Sequence, residues 1–208
     1  MVNRGGIRMV KTSFIQHQYR IVLASKSPRR IELLKGLGFE VKTVCSQGPD
    51  EIYPSNLTEG DIPLYLAKLK SSVYTGELEQ NDILVTADTI VWLDGKVIGK
   101  PADREEAISM LQSLSGRMHE VYTGVCMRLK DKEHSFVSCS KVFFAALSPQ
   151  EIEYYVDNFK PFDKAGAYGI QEWIGYIGVE GIEGSYFNVM GLPVQRLYTE
   201  MTSFLKSF

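Results

Sequence analysis

The segment from Ser25 to Arg30 combines two serine hydroxyls, a proline and two adjacent arginines. The apolar run Arg20–Ala24 before it predicts a buried strand, and Ser27 followed by Pro28 is typical of a helix start, with the serine as N-cap. A helix N-terminus presents unpaired N–H groups and the positive end of the helix dipole, which attract anions. Because arginine suits bidentate phosphate contacts, the segment favours a polyphosphate site. An ordinary capped helix with a solvated arginine pair is the alternative.

A second candidate is the carboxylate of Asp88, which follows the apolar run Ile83–Val85. Ligands in α/β folds collect beyond the ends of strands. A carboxylate at such a place could deprotonate water or hold a metal ion, and hydrolysis of a phosphoanhydride needs both functions. The alternative is a turn aspartate that caps its neighbours.

Two lysines and a glycine-rich segment could complete such a site. Lys100 lies in a Gly–Pro turn, and Lys70 lies near the border of the apolar face of a predicted helix, where snorkelling explains it equally well. The segment Asp163–Gln171 combines glycines with a terminal amide. Since the amide of Gln171 both donates and accepts hydrogen bonds, it could read the edge of a base. Most glycine-rich segments, however, are only loops.

Strands and helices alternate irregularly along the rest of the chain. Helix periodicity and capping patterns predict helices at 28–37, 58–73, 103–114, 149–159 and 193–205. Apolar and β-branched runs predict strands at 82–87, 90–93, 97–98, 119–129 and 136–147, with short strands near 173–177. The order of these elements predicts an α/β fold with a central mixed sheet.

The composition indicates a globular protein. The chain has 208 residues, of which 44% are hydrophobic and 23% charged, enough for one sizeable domain or two small lobes. No linker divides it, so we expect one domain over 19–208 preceded by an extension at 1–18. The net charge of -2 does not favour nucleic-acid binding, and no apolar run is long enough to span a membrane.

Several kinds of site are not indicated by the sequence. The cysteines, Cys45, Cys126 and Cys139, are odd in number and predict no disulfide framework, so we expect reduced thiols, small buried side chains and a cytoplasmic location. No Walker A loop or Rossmann glycine motif is present. The three histidines are scattered along the chain, which disfavours a zinc site or a histidine triad.

These motifs together resemble the Maf family of nucleotide pyrophosphatases. The resemblance is carried, in chain order, by 23–30, 87–91, 99–101, 114–123, 163–171, 184–186 and 191–193. It implies two lobes around a cleft, with helices flanking the central mixed sheet, in an architecture similar to that of inosine triphosphatases. It also implies hydrolysis of nucleoside triphosphates to monophosphate and pyrophosphate with a divalent cation, Mg²⁺ or Mn²⁺, and a possible homodimer without nucleic-acid or membrane partners.

The resemblance also assigns expected roles to individual residues. It implies that Asp88 accepts the proton and, with Glu51, holds the metal. It implies a polyphosphate-binding set of Ser25, Ser27, Arg29, Lys70 and Lys100, and a set that determines substrate choice, Arg30, Thr89 and Gln171.

The stretch Ala167–Gln171 resembles the subfamily that acts on dTTP and UTP. Two departures from the family pattern are Lys26, where a small residue is common, and Glu172, where we expect glycine. The first could change the charge near the phosphates, and the second could reshape the base pocket. The alternatives are a pyrophosphatase for other nucleotides, methylated guanosine triphosphate among them, and a nucleotide sensor that does not hydrolyse its ligand.

Overall fold

The computed structural model describes residues 14–44 and 52–206, and its sheet confirms the predicted mixed architecture. The seven strands are β1 Arg20–Leu23, β2 Val41–Thr43, β3 Asp82–Leu93, β4 Lys96–Ile98, β5 Met118–Leu129, β6 Lys132–Phe144 and β7 Val179–Glu183. Their order is β2-β1-β3-β5-β6-β7, with β4 also paired to β3. β1 runs parallel to β2 and β3, and every other pair of these strands is antiparallel.

Local signals in the sequence start several of the helices. The helices are α1 Pro28–Gly36, α2 Asp61–Ser72, α3 Arg104–Leu114, α4 Pro149–Phe159, α5 Trp173–Gly178, α6 Tyr186–Val189 and α7 Val194–Leu205. Ser148 and Glu151 form the predicted capping box at the start of α4. Asp103 caps α3 by accepting a hydrogen bond from the backbone N–H of Glu106, but the Glu106 carboxylate accepts from Ala102, so only half of that predicted box forms.

The largest differences between the predicted elements and the structure are at two places. β3 continues without a break through residues 88 and 89, where we predicted two strands, because β5 pairs with it from Leu84 to Trp92. The predicted strands at 173–177 are wrong, since this segment is helix α5 and the strand that pairs with β6 begins only at Val179. A strand forms where a neighbouring strand pairs with it, and here β6 pairs with residues 179–183 instead of 173–177.

Two hydrophobic cores lie on the same face of β3, one after the other. The first packs α1 and α7 against Ile83 and Val85, and the second packs α3, α4 and α5 against Val91 and Leu93. Alternate residues of a strand share a face, so Thr89 lies on this face between the two cores. The helix α2 covers the opposite face of the sheet. The two cores are the two lobes that the sequence predicted.

The described ends of the chain add detail to the predicted boundaries. A short 3₁₀ helix, Ile15–His17, precedes β1, and Ile15 packs against the first core although we placed residues 1–18 outside the domain. Residues 1–13 lie outside the described part of the chain. Cys126 is buried, Cys139 is exposed and Cys45 is not among the described residues. Within the described ranges, no helix has both the length and the apolar character needed to cross a membrane.

Candidate active site

The sheet is open along one side of β3 between the lobes. The parallel pairing of β1 with β3 ends at Leu23 and Val85, and the pairing of β4 begins at Ile98 and Val91. Between these points β3 is paired to β5 alone among the described strands. A cavity of about 670 Å³ lies at this gap, bounded by the loop after β1, the turn after β4 and the segment 163–171.

Every described residue that the sequence analysis selected lines this cavity. They are Ser25, Ser27, Arg29, Arg30, Lys70, Asp88, Thr89, Lys100 and Gln171. Glu51, the predicted second metal ligand, lies outside the described residues. Because the cavity lies at a gap in the sheet, neighbouring residues of β3 reach it although their side chains point to opposite faces.

Asp88 lies in the middle of β3, which corrects its expected position at a strand end or turn. The strand end that opens the cleft belongs to β1, which stops at Leu23. The Asp88 side chain is 9% exposed and faces α2, and its Oδ1 lies 2.5 Å from Nζ of Lys70. Within the described residues, Oδ2 of Asp88 accepts no hydrogen bond. The pair therefore places a carboxylate oxygen beside an ammonium group at the cavity wall.

The close approach of α2 to the sheet determines where Lys70 lies. Gly124 is the cross-strand neighbour of Asp88, and a Cβ atom built on it would lie only 2.3 Å from the carbonyl of Pro63 on α2. One turn along the helix, the Thr86 hydroxyl donates a 2.7 Å hydrogen bond to the carbonyl of Ala67. These two contacts fix the helix against the strand, so that Lys70, three residues further, reaches Asp88.

On the opposite face, the Arg30 guanidinium joins three parts of the chain. Its Nε donates to the carbonyl of Gly191 at 2.8 Å, and its Nη1 donates to the carbonyl of Ala87 at 2.9 Å. Its Nη2 donates to the Thr89 hydroxyl at 3.0 Å, and that hydroxyl lies 2.9 Å from the hydroxyl of Thr123. The Arg30 guanidinium is therefore held by hydrogen bonds within the chain itself.

The N-terminus of α1 opens into the cavity without a side-chain cap. Ser27 occupies the N-cap position, but its hydroxyl makes no capping hydrogen bond, which corrects the predicted role of that side chain. Its backbone N–H donates instead to the Ser25 hydroxyl at 3.2 Å. Arg29, in the first turn, donates from Nη1 to Oδ2 of Asp163 at 3.0 Å, and this contact links α1 to the segment 163–171. An uncapped helix N-terminus beside serine hydroxyls suits an anionic ligand.

Two charged residues of the cavity wall, Asp163 and Lys164, lie in the segment selected from the sequence but received no individual role there. Lys164 is 9% exposed and its Nζ lies 2.8 Å from Oδ1 of Asp163. Desolvation raises the pKa of Asp163, but hydrogen bonds from Lys164 and Arg29 outweigh this effect and lower it overall. No pattern of neighbouring residues in the sequence predicts the ion pair between Arg29 and Asp163. Gln171 was selected from the sequence as a base-reading residue. Its Oε1 is buried with no hydrogen-bond partner in the described residues.

A buried histidine supports the wall behind the glycine-rich segment. His119 is 1% exposed, and its Nε2 lies 2.8 Å from the hydroxyl of Tyr168, which lines the cavity. Burial lowers the pKa of His119 to about 4 and raises the pKa of Tyr168 above its usual range. His119 therefore stays neutral at ordinary pH and belongs to the packed core rather than to the reacting groups.

Comparison with known proteins matches almost the whole described chain. The family model "Maf-like protein" matches residues 20–204. The chain is 53% identical over 184 residues to "dTTP/UTP pyrophosphatase" of Bacteroides thetaiotaomicron, covering 88% of this chain and 95% of that protein. It is 56% identical over 186 residues to a protein of the same name from Phocaeicola vulgatus, with 88% and 95% covered.

The chain also aligns with a solved structure. "Structure of a HAM1 protein from Coxiella burnetii" aligns with TM-score 0.46 and 15% identity, covering 89% of this chain and 99% of that chain. At this degree of similarity the alignment adds nothing to the family assignment. The assignment rests on the family model and the curated relatives.

Proposed function

Since this chain belongs to the Maf family, we propose that it hydrolyses nucleoside triphosphates, dTTP and UTP foremost, to the nucleoside monophosphate and pyrophosphate. One observation of the structure carries the proposal. The uncapped N-terminus of α1 and the Asp88–Lys70 pair, which come from distant parts of the sequence, open into a single cavity. The first feature suits a phosphate chain and the second suits the activation of water.

The phosphates would lie against the N-terminus of α1. The backbone N–H groups of its first turn and the hydroxyls of Ser25 and Ser27 can donate to phosphate oxygens. Arg29, Lys70 and Lys100 line the same cavity and supply positive charge. Most of the rate acceleration in phosphoryl transfer comes from positioning and from neutralisation of charge, and these residues provide both.

Asp88 would act as the general base. Lys70 would orient its carboxylate by donating to Oδ1, which leaves Oδ2 as the acceptor for a water molecule. In the reaction, water attacks the α-phosphorus while its proton passes to Asp88. The bond between the α-phosphorus and the bridging oxygen breaks, and pyrophosphate leaves with the electron pair. General-base catalysis of this kind contributes about 10²- to 10⁴-fold to a rate.

A divalent cation fits the donor groups of the cavity. Within the described residues no cluster of three or more His, Cys, Asp or Glu could hold a metal by protein ligands alone. Magnesium, however, is usually bound through one or two carboxylates together with substrate phosphates and water. We propose Asp88 as one such ligand and Glu51 as the second. When bound, Mg²⁺ or Mn²⁺ would neutralise charge on the phosphate oxygens.

The base would be recognised by Gln171 and Thr89. The buried Oε1 of Gln171 has no partner in the described residues, and it could accept the N3–H of uracil or thymine. Thr89 also lines the cavity, with its hydroxyl held by Arg30. Arg30 would therefore influence substrate choice by fixing Thr89 rather than by direct contact. An unpaired polar group in a buried site penalises the wrong base strongly.

Pyrophosphate release from a panel of nucleotides tests the proposal. The panel is dTTP, UTP, CTP, ATP, GTP and methylated GTP, each with Mg²⁺ and with Mn²⁺. We expect dTTP and UTP to react fastest, and Asp88→Asn to lower turnover by about 10³-fold, since the variant keeps the shape but loses the base. Its Kd for α,β-imido-dUTP, measured by calorimetry, should stay close to that of the wild type.

The control variant is Asp131→Asn, which changes an exposed carboxylate in the turn between β5 and β6. It should leave turnover unchanged. Near-normal turnover in Asp88→Asn would exclude Asp88 as the base. A preference for a purine would keep the reaction and overturn the assignment of Gln171. Binding without turnover in the wild type would favour a nucleotide sensor.

A further inference from the structure

The glycine-rich wall of the cavity contains a chain of charged contacts that the proposed chemistry does not use. Lys164 lies between two carboxylates, 2.8 Å from Oδ1 of Asp163 and 3.0 Å from Oε1 of Glu172. The other oxygen of Asp163 accepts a hydrogen bond from Arg29. These charged contacts therefore extend from Arg29, in the first turn of α1, to Glu172, and the four charges sum to zero.

Tyr155 of α4 contacts Glu172, the last of these charged residues. It is fully buried in the second core, and its hydroxyl donates to Oε2 of Glu172. The same hydroxyl accepts the backbone N–H of Gly169 at 3.0 Å, and the N–H of Glu172 donates to the carbonyl of Gly169 at 2.9 Å. Glu172 and Tyr155 thus fasten both ends of the turn that carries Gln171.

A larger residue at the start of the turn would displace the Glu172 carboxylate. A Cβ atom built on Gly169 would lie 2.8 Å from Cδ of Glu172. The carboxylate of Glu172 therefore packs directly on the backbone that presents Gln171. Because a partly buried carboxylate is costly unless it is paired, its contacts with Lys164 and Tyr155 hold it in this place.

Glu172 does not itself line the cavity within the described residues, whereas Lys164 and Gln171 do. Its effect on a ligand must pass through those two residues. Lys164 lies next to Asp163, which contacts Arg29 at the helix N-terminus proposed for the phosphates. Gln171 carries the buried oxygen proposed for the base.

We propose that Glu172 is a positioning residue that couples the Lys164 cation to the Gln171 amide, so that nucleotide affinity and base discrimination depend on one carboxylate. The inference rests on the proposed function, because it takes the cavity ligand to be a nucleotide. It identifies the Glu172 carboxylate as a determinant of pyrimidine choice.

Equilibrium binding of non-hydrolysable nucleotides tests this role apart from turnover. The variants are Glu172→Gln, which keeps the side-chain shape but removes the charge, and Tyr155→Phe, which removes only the hydroxyl. The control is Glu180→Gln, an exposed carboxylate on β7. Calorimetry would give Kd values for α,β-imido-dUTP and α,β-imido-dCTP, and kinetics would give kcat and KM for UTP and CTP.

We expect Glu172→Gln to weaken the Kd for the uridine analogue about tenfold, because Lys164 loses a charged partner and is displaced at the cavity wall. The preference for uridine over cytidine should fall about fivefold in both Glu172→Gln and Tyr155→Phe, since a displaced amide discriminates less. KM should follow Kd, and kcat at saturation should change little. The control should match the wild type in every measurement.

A merely structural role would lower the melting temperature and leave the uridine preference unchanged, and that result overturns the inference. If Glu172→Gln does not fold, an unchanged preference in Tyr155→Phe has the same meaning. A wild-type chain that binds the analogues but hydrolyses nothing contradicts the proposed function alone. A wild-type chain that binds neither analogue contradicts both.

Discussion

The two faces of β3 at the cleft use charge in different ways. On one face the carboxylate of Asp88, a residue of the cavity lining, is paired only with the ammonium group of Lys70 among the described residues. On the other face Thr89 and Arg30 form hydrogen bonds to the backbone carbonyls of Ala87 and Gly191 and to other hydroxyls. The first face has acceptor capacity left for chemistry, whereas the second is largely satisfied by the protein itself.

This difference shows that two adjacent residues of a motif can have unrelated tasks. The side chains of Asp88 and Thr89 point to opposite faces because a strand alternates every residue. The first therefore contacts α2, and the second contacts α1 and the loop before α7. We infer that the Asp88 face contributes mainly to turnover, and that the Thr89 face contributes mainly to stability and to the shape of the pocket.

The strongest test compares loss of the cation on each face. Lys70→Met should lower turnover about 100-fold, as removal of an electrostatic donor does in other enzymes. Arg30→Met should lower the free energy of unfolding by about 3 kcal/mol, because buried carbonyls of Ala87 and Gly191 lose charged donors. Urea denaturation and pyrophosphate release measure the two effects.

Lys68→Met, an exposed change on the same helix, is the control for Lys70 and should affect neither quantity. If Arg30→Met is as stable as the wild type and loses only turnover, Arg30 is a ligand cation and the two faces do not differ as described.

A smaller effect is expected from closing the space under α2. Gly124→Ala would place a methyl group against the backbone of Pro63, so the helix must move or the strand must bend. We expect a loss of about 2 kcal/mol in the free energy of unfolding and about tenfold in turnover, since overpacking displaces Lys70 from Asp88. The matched variant Gly181→Ala meets only the ring of Phe143 at 3.8 Å and should be nearly neutral. Equal effects of the two substitutions would show that α2 is not held by this contact.

The smallest expected effect is a pH dependence of the free energy of unfolding, which arises from His119 on the Thr89 face. The pKa of His119 is about 4 in the folded chain against 6.5 ordinarily, so the unfolded chain binds a proton first as the pH falls. The free energy of unfolding should therefore decrease between pH 6.5 and 4, by about 1 kcal/mol at pH 5.5. His119→Gln should remove this part of the pH dependence, whereas exposed His17→Gln should not. Urea midpoints at pH 7.5 and 5.5 measure it, and an identical pH dependence in His119→Gln and the wild type would contradict it.

The residues that line the cavity could be selected from the sequence, but the contacts between them could not be predicted from it. Capping patterns and periodicity placed the starts of α1, α3 and α4, because these signals act within one helical turn. The contact of Arg29 with Asp163 joins residues 134 positions apart, and that of Lys70 with Asp88 joins a helix to a strand. Such pairs have no local pattern, so the segment 163–171 was selected but the ion pairs of Asp163 were not predicted.

By itself, the sequence determined the family motifs, the mixed class of the sheet and the position of an anion-attracting helix N-terminus. Only the tertiary structure decided that β3 runs unbroken past Asp88 and that the cleft is a gap left where β1 stops and β4 begins. The physical reason is that strand length depends on the pairing partner. β5 satisfies the backbone of β3 along the polar residues 86–89, and this allows a stretch that resembles a turn in the sequence to remain a strand.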